Sequence, residues 1–161
     1  MENLDKKNIL VLDDNRNDLM LVKFVIMRMG FNPILIDQSS ALIENLQKHK
    51  ISLIVLDLDM PGLSGIDVLK KIKKVPSYKD IPIVMLTGNS EMSNVKTTIA
   101  LGAVDYIVKP IDPMIFEGKV KRLIQSQDLE QKNNWVEYEV KKLTDQEIKL
   151  HMRKKIVSIG E

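Results

Sequence analysis

Residues 53–65 read Leu53-Ile54-Val55-Leu56-Asp57-Leu58-Asp59-Met60-Pro61-Gly62-Leu63-Ser64-Gly65. An apolar run is followed by a carboxylate, a second acid and a Pro-Gly turn, a pattern typical of a buried strand in a parallel sheet. In open α/β sheets the ligand site lies just beyond the carboxyl ends of the strands, so we expect Asp57 at such a position. A carboxylate that ends a strand can equally be a solvated side chain. The other strands must therefore show whether Asp57 belongs to a site.

The composition is that of a soluble globular protein with one ordinary domain and a modest appendage. The chain has 161 residues, of which 44% are hydrophobic and 29% are charged. Its formal net charge of +2 is too small to predict nucleic acid or an anionic membrane as a partner. Because the sequence contains no cysteine, disulfides and thiolate metal sites are excluded. No signal peptide or membrane-length apolar stretch occurs, so we expect a cytoplasmic protein.

Four further apolar runs flank the central stretch and alternate with helical patterns. We predict strands over residues 9–12, 34–36, 83–86 and 104–108, in addition to the strand that ends at Asp57. We predict helices over residues 15–29, from about 40 to 50, over 65–74, from 90 or 93 to 101, and from 113 onward, with Asp112 as the cap of the last. Strict alternation predicts parallel strands with helices on both faces of the sheet. The expected fold class is α/β, a doubly wound five-stranded parallel sheet.

Polar residues follow four of these five strands at the point where each strand ends. Asp13 and Asp14 follow the first strand, Asp57 ends the third, Thr87 follows the fourth, and Lys109 follows the fifth. Three crowded carboxylates repel each other unless a cation joins them, and hard oxygen ligands suit Mg²⁺. A hydroxyl and an ammonium group beside them suit a phosphoryl group. The pattern therefore predicts phosphoryl transfer in which the carboxylate of Asp57 is the nucleophile and forms an aspartyl phosphate.

Four segments resemble the receiver domain of two-component response regulators, namely Asp13-Asp14 and residues 57–65, 86–88 and 100–110. The resemblance covers about residues 7–126 and implies a flavodoxin-like fold with strand order 2-1-3-4-5. It implies a phosphoacceptor switch with at most self-phosphorylation and self-dephosphorylation activity, rather than an enzyme. The implied partners are a histidine kinase or phosphotransfer protein, and a downstream protein or output domain.

The resemblance also implies a Mg²⁺ site and a phosphoacceptor. Asp57 would accept the phosphoryl group. Asp14, Asp57 and the main-chain carbonyl of Asp59 would hold Mg²⁺, with Asp13 acting through water. Lys109 would bind the phosphoryl oxygens, and the Lys109-Pro110 peptide bond is expected to be cis.

Thr87 and Tyr106 match the switch pair of the same family. From the residues alone, Tyr106 would be a partly buried aromatic side chain of a strand. By the resemblance, the phosphoryl charge draws the Thr87 hydroxyl toward it and the Tyr106 ring moves inward. The movement would shift the surface formed by the fourth helix, the fifth strand and the fifth helix between two packings.

The segment Asp57-Leu58-Asp59 also resembles the first motif of haloacid-dehalogenase-type phosphatases. In that family the first Asp is the nucleophile and the second is the general acid. Its motif is followed by Gly-Thr and its acidic pair lies downstream, whereas here Met60-Pro61 follows and the pair Asp13-Asp14 lies upstream. These differences favour the receiver interpretation over the phosphatase interpretation.

Residues 127–161 are predicted to follow a receiver domain of residues 1–126 as a separate tail. The last helix is expected to continue for a turn or two. Residues 135–143 and 148–152 then alternate apolar and polar side chains across Thr144-Asp145-Gln146, which predicts a β-hairpin. The tail weakly resembles the start of a PilZ-like module. The hairpin is expected to bury its apolar face either on a second copy of the chain or on the receiver's own surface. The face of the fourth helix, fifth strand and fifth helix is the other candidate surface for a homodimer. No helix-turn-helix pattern follows residue 126, and whether the chain is a stand-alone switch or the front of a longer regulator stays open.

Overall fold

The computed structural model describes residues 6–88, 92–142, 147 and 150. In this part of the chain, strands and helices alternate as the sequence predicts. The strands are β1 (Asn8–Leu12), β2 (Asn32–Ile36), β3 (Ile51–Asp57), β4 (Ile83–Thr87) and β5 (Asp105–Val108). The helices are α1 (Arg16–Arg28), α2 (Leu42–Lys48), α3 (Gly65–Lys74), α4 (Met92–Ala100) and α5 (Pro113–Lys142), with a short 3-10 turn (Ser39–Ala41) before α2.

The five strands form one parallel sheet in the order β2-β1-β3-β4-β5. The predicted doubly wound α/β fold and its strand order are therefore confirmed. Because β3 lies between β1 and β4, Asp57 ends the central strand. Parallel pairing brings the carboxyl ends of all five strands to one edge of the sheet.

The three central strands make up most of the core. Residues 9–12 of β1, 53–56 of β3 and 83–86 of β4 are at most 1% exposed. Strands buried on both faces read as continuous apolar runs, which is why the sequence showed runs rather than alternation. Full burial of one such side chain stabilises a fold by about 1.5–3 kcal/mol. This core gives the strand ends a rigid support.

Two helices beside the central strands begin at side-chain caps near the edge where the strands end. The Asn15 side chain accepts hydrogen bonds from the main-chain N–H groups of Asn17 and Asp18, at 2.9 and 3.2 Å, and so caps α1. Ser64 caps α3 in the same way by accepting from Asp67. Capping satisfies N–H groups that have no partner within the helix. It also fixes the position of each first helical turn relative to the strand before it.

Gly65, at the start of α3, allows that helix to approach the end of β3. A Cβ atom at this position would lie 2.2 Å from the carbonyl oxygen of Asp57 and 2.7 Å from the Cα of Leu58. The Gly65 N–H donates to the carbonyl oxygen of Leu58 at 3.0 Å. Glycine is therefore required here by the close approach of two backbones. The contact holds the residues that follow Asp57.

The last helix is longer than predicted, and the prediction of the first strand of the hairpin is wrong. Helix α5 continues through Lys142, so residues 135–142 are helical, and Glu147 and Leu150 are helical as well. No glycine or proline lies between Gly118 and Lys142, and extending a formed helix adds a hydrogen bond for each residue ordered. Thr144-Asp145-Gln146 also lacks the glycine that two-residue hairpin turns favour. That turn and the rest of the predicted hairpin and tail lie outside the described residues.

The chain divides into two compact units, residues 1–123 and 124–161. The first contains the whole sheet and the strand ends. Among the described residues, no helix combines the length and the apolar character needed to cross a membrane.

Candidate functional site

Three aspartates meet at the carboxyl edge of the sheet. Asp13 and Asp14 follow β1, and Asp57 ends the neighbouring strand β3. Each offers one carboxylate oxygen, and these three oxygens lie within 4.8 Å of one another. Asp13 and Asp57 are buried, at 0% and 2% exposed, whereas Asp14 is exposed. The predicted acidic cluster is therefore present, with one carboxylate open to solvent.

The Lys109 side chain crosses from the end of β5 to this cluster. Its Nζ atom lies 2.9 Å from Oδ2 of Asp13, 3.0 Å from Oδ2 of Asp18 and 3.4 Å from Oδ1 of Asp57. The Lys109-Pro110 peptide bond is cis, as the family resemblance implied. One ammonium group thus contacts carboxylates from two strand ends and from the first turn of α1.

Asp18 is the residue at this site that the sequence analysis missed. It lies in the first turn of α1, where an acidic side chain is usually explained by the helix dipole. Its position in the helix that starts just after the Asp13-Asp14 pair was the available signal. The pattern alone did not show that its carboxylate reaches Lys109, which is far away in sequence.

Burial makes ionisation of Asp57 unfavourable. Loss of solvent, and secondarily the negative charge of Asp13, raise the pKa of Asp57 from 3.8 to about 7, although Lys109 acts in the opposite direction. A main-chain N–H from Asp59 also donates to Oδ1 of Asp57, at 3.3 Å. Burial and the charge of Asp13 therefore favour the protonated form of the Asp57 carboxyl group in the absence of a cation.

At Lys109 the surroundings favour the charged form of the side chain. Burial opposes its charged form, but hydrogen bonds to Asp13 and Asp18 and the charges of Asp57 and Asp13 outweigh that effect. The pKa of Lys109 is raised above its ordinary value. Its ammonium group is therefore a positive charge beside Asp57 at neutral pH.

The donor set of the cluster fits a divalent cation with a preference for oxygen. Asp13, Asp14 and Asp57 each offer one carboxylate oxygen to such a cation. Asp13 is also held by two contacts, since its Oδ1 accepts from the Asn15 N–H at 2.8 Å and its Oδ2 accepts from Lys109 at 2.9 Å. A cavity of about 310 Å³ lies beside Asp14, which lines it together with Asp37 and Met60.

Thr87 and Tyr106 lie on the paired strands β4 and β5. Thr87 ends β4 next to Asp57 and is 1% exposed. Its carbonyl oxygen accepts from the Lys109 N–H at 2.7 Å, which ties the end of β4 to the residue after β5. Tyr106 pairs with Met85, two positions before Thr87 along β4, and is half-buried. The structure thus places both residues of the predicted switch pair on neighbouring strands, with Thr87 nearer the acidic cluster.

The Tyr106 ring lies under the side chain of Lys119 from α5. The Nζ atom of Lys119 is 5.0 Å from the ring centroid, a cation–π distance, and donates to the Tyr106 carbonyl oxygen at 2.7 Å. The same Nζ contacts Oδ1 of Asp105 at 2.8 Å, and Arg122 contacts Oδ2 at 2.7 Å. The surface of β5 and α5 around Tyr106 is therefore held by charged contacts.

Comparison with known proteins agrees with this geometry. The family model of the response regulator receiver domain matches residues 9–121. The phosphate regulon transcriptional regulatory protein PhoB of Escherichia coli (strain K12) is 33% identical over 119 residues, which are 74% of this chain and 52% of PhoB. The probable transcriptional regulator ycf27 of Porphyridium aerugineum is 32% identical over 131 residues, 81% of this chain and 53% of that protein. The chain spans about half the length of these curated relatives. The resemblance of the tail to a PilZ-like module finds no support in these comparisons.

Solved structures share the fold. The chemotaxis protein CheY4 of Vibrio cholerae superposes with a TM-score of 0.69 at 24% identity, over 73% of this chain and 98% of CheY4. A CheY-like receiver domain protein of Methanospirillum hungatei gives a TM-score of 0.71 at 24% identity, over 78% of this chain and 99% of that one. The family match covers more than half of the chain and includes the strands that carry Asp13, Asp57, Thr87 and Lys109. The chain belongs to the response regulator receiver domain family.

Proposed function

We propose that this receiver domain accepts a phosphoryl group on Asp57 from the phosphohistidine of a histidine kinase or a phosphotransfer protein. The observation that carries the proposal is the meeting of three carboxylates and Lys109 at the end of the central strand. In the transfer, an oxygen of Asp57 forms the new P–O bond as the P–N bond of the donor breaks. The electron pair of that bond returns to the imidazole of the donor. The chain acts as a switch rather than as an enzyme with external turnover.

The residues around Asp57 have two roles, metal binding and stabilisation of the phosphoryl charge. Asp14, Asp57 and the carbonyl oxygen of Asp59 would hold Mg²⁺, with Asp13 contributing through water. When bound, this ion would offset the charge of the carboxylates and of the phosphoryl oxygens. Lys109 supplies a second positive charge at a fixed position, 3.4 Å from Asp57.

The switch would work through Thr87 and Tyr106. A phosphoryl group on Asp57 adds nearly two negative charges and attracts the Thr87 hydroxyl at the end of the adjacent strand. A change around Thr87 would be passed along β4 and β5 to the Tyr106 ring. The α4-β5-α5 face would then favour a different packing and a different partner, either a downstream protein, an output domain or a second copy of the chain.

The test is covalent labelling with a small phosphodonor such as acetyl phosphate in the presence of Mg²⁺. Intact-mass measurement should show one added phosphoryl group on the wild-type chain and none on Asp57→Asn. The matched control is Asp59→Asn, which removes an exposed carboxylate two residues away and should still be labelled. Chelation of Mg²⁺ should prevent labelling of both the wild type and the control. Labelling of Asp57→Asn to the wild-type level would refute the proposal.

The phosphatase interpretation predicts a different result. It requires continuous release of phosphate from an ester, with Asp59 as the general acid. The receiver interpretation predicts at most one phosphoryl group per chain and no sustained turnover of phosphate esters. A colorimetric phosphate assay with a simple aryl phosphate separates the two.

A further inference from the structure

Lys109 is shared among three carboxylates, and the phosphoacceptor is the most distant of them. The distances from its Nζ atom are 2.9 Å to Asp13, 3.0 Å to Asp18 and 3.4 Å to Asp57. The Lys109 ammonium group donates to Asp13 and is paired with Asp18, whereas Asp57 lies at ion-pair distance only. A phosphoryl group on Asp57 would need this charge as well. The two shorter contacts therefore compete with the chemistry at Asp57.

Asp13 and Asp18 differ in how they are held. Asp13 is fully buried and its other oxygen accepts from the Asn15 N–H, so it forms part of the acidic cluster itself. Asp18 lies outside the cluster, in the first turn of α1, and its side chain is 21% exposed. Its main-chain N–H is fixed by the Asn15 cap, and the next residue, Leu19, packs into the core. The backbone of Asp18 is thus held in place while its carboxylate reaches across to Lys109.

We propose that Asp18 is a positioning residue for phosphoryl transfer: it holds the Lys109 ammonium group away from Asp57 and slows the reaction of Asp57 with anionic phosphodonors. The inference rests on the proposed function of Asp57. Two physical effects of Asp18 slow the reaction. Asp18 competes for the ammonium group, and its own negative charge repels an incoming phosphoryl group. Because the ion pair is partly exposed, water and salt moderate both effects.

The test compares Asp18→Asn with the wild type in labelling of Asp57 by acetyl phosphate and Mg²⁺. The amide keeps the shape of the side chain and removes its charge. The rate constant for labelling should rise about two- to fivefold, the effect expected for a partly exposed ion pair. The gain should shrink at high salt, because screening weakens the charge that was removed. A purely structural role for Asp18 would not give this salt dependence.

Two further variants serve as controls. Asp18→Glu keeps the charge and should label at nearly the wild-type rate. Asp67→Asn removes an acid from the same first-turn position of α3, where the carboxylate accepts from Ser64 Oγ at 3.0 Å. It loses a similar interaction with the helix dipole and should leave the labelling rate unchanged.

A spectroscopic measurement addresses Lys109 directly. In protein with ¹³C-labelled lysine, the ε-methylene signal of Lys109, assigned by Lys109→Arg, should shift in Asp18→Asn and stay in place in Asp67→Asn. A labelling rate in Asp18→Asn that equals or falls below the wild-type rate would overturn the inference, as would an unchanged Lys109 signal. If the wild type is not labelled on Asp57 at all, the proposed function fails too. Wild-type labelling without a faster Asp18→Asn defeats only the inference about Asp18.

Discussion

Replacing Asp57 with asparagine should make the metal-free protein more stable at neutral pH, by an amount that grows with pH. Asp57 is 2% exposed, and burial with the nearby charge of Asp13 raises its pKa from 3.8 to about 7. Between these two values the folded state binds more protons than the unfolded state, so the wild type loses stability as pH rises through that window. Asparagine has nearly the same shape and cannot ionise, so the variant avoids this loss.

The size of the effect follows from the pKa difference. One pKa unit corresponds to about 1.4 kcal/mol, so ionisation of Asp57 costs the fold at most about 4 kcal/mol once the pH is well above 7. The free energy of unfolding of Asp57→Asn should therefore exceed that of the wild type by a small amount near pH 4 and by about 4 kcal/mol near pH 8, which is the cost of ionising Asp57. Most of the increase should fall between pH 4 and pH 7, where the two states differ most in bound protons.

Urea unfolding followed by circular dichroism, in buffers with a chelator, measures this difference at each pH. Asp59→Asn is the control, since it removes an exposed carboxylate from the same loop. Addition of Mg²⁺ should stabilise the wild type more than Asp57→Asn, because a ligand of the folded state alone shifts the unfolding equilibrium. If the free energy of unfolding of Asp57→Asn exceeds that of the wild type by the same amount from pH 4 to pH 8, or does not exceed it, a raised pKa of Asp57 is refuted.

Three other substitutions test how the site is supported. Gly65→Ala would place a Cβ atom 2.2 Å from the Asp57 carbonyl oxygen, so we expect a loss of more than about 2 kcal/mol in urea unfolding and slower labelling of Asp57. Asn15→Ala removes the α1 cap and should cost about 1 kcal/mol in the same unfolding measurement. Lys119→Met removes the cation 5.0 Å from the Tyr106 ring, so the Tyr106 ring signals in NMR spectra should shift, with a loss of about 0.5–1 kcal/mol in stability.

The arrangement of the site could be predicted because its residues are placed by the backbone. Apolar runs marked the buried strands, and the residue after each run had to lie at the same edge once the strands were parallel. Asp13, Asp57 and Lys109 therefore met as expected, and a metal-binding chemistry could be inferred before any distance was known. Strand ends and parallel topology both follow from local sequence patterns, and together they place these side chains.

The role of Asp18 could not be predicted in this way. An acid in the first turn of a helix already has a local explanation in the helix dipole. Its contact with Lys109 depends on how α1 is placed against the end of β5, and no local pattern encodes that placement.

The strand predicted over residues 135–143 is wrong because a local pattern did not decide the structure. Over residues 135–142 the alternation of apolar and polar side chains is compatible with a strand, but this pattern does not reflect the helix that precedes it. Glu and Lys between the apolar positions are good helix formers, and helix α5 was already formed upstream. Continuing a helix costs less than starting a hairpin, so the existing element decided the structure of the residues that followed.

Burial in the core disfavours the ionised form of Asp57, whereas phosphoryl transfer requires that form. The core around the central strands also buries Asp57, and burial raises the pKa of Asp57 and so favours its protonated form in the absence of a cation. A protonated carboxyl group is a poor nucleophile. A cation at Asp14 and Asp57 would lower the pKa of Asp57, so it would stabilise the folded state and supply the reactive carboxylate at the same time. Lys109 cannot do this alone, because Asp13 and Asp18 already share its charge. We therefore expect phosphorylation of Asp57 to depend on Mg²⁺, because three carboxylates already share the one ammonium group of Lys109.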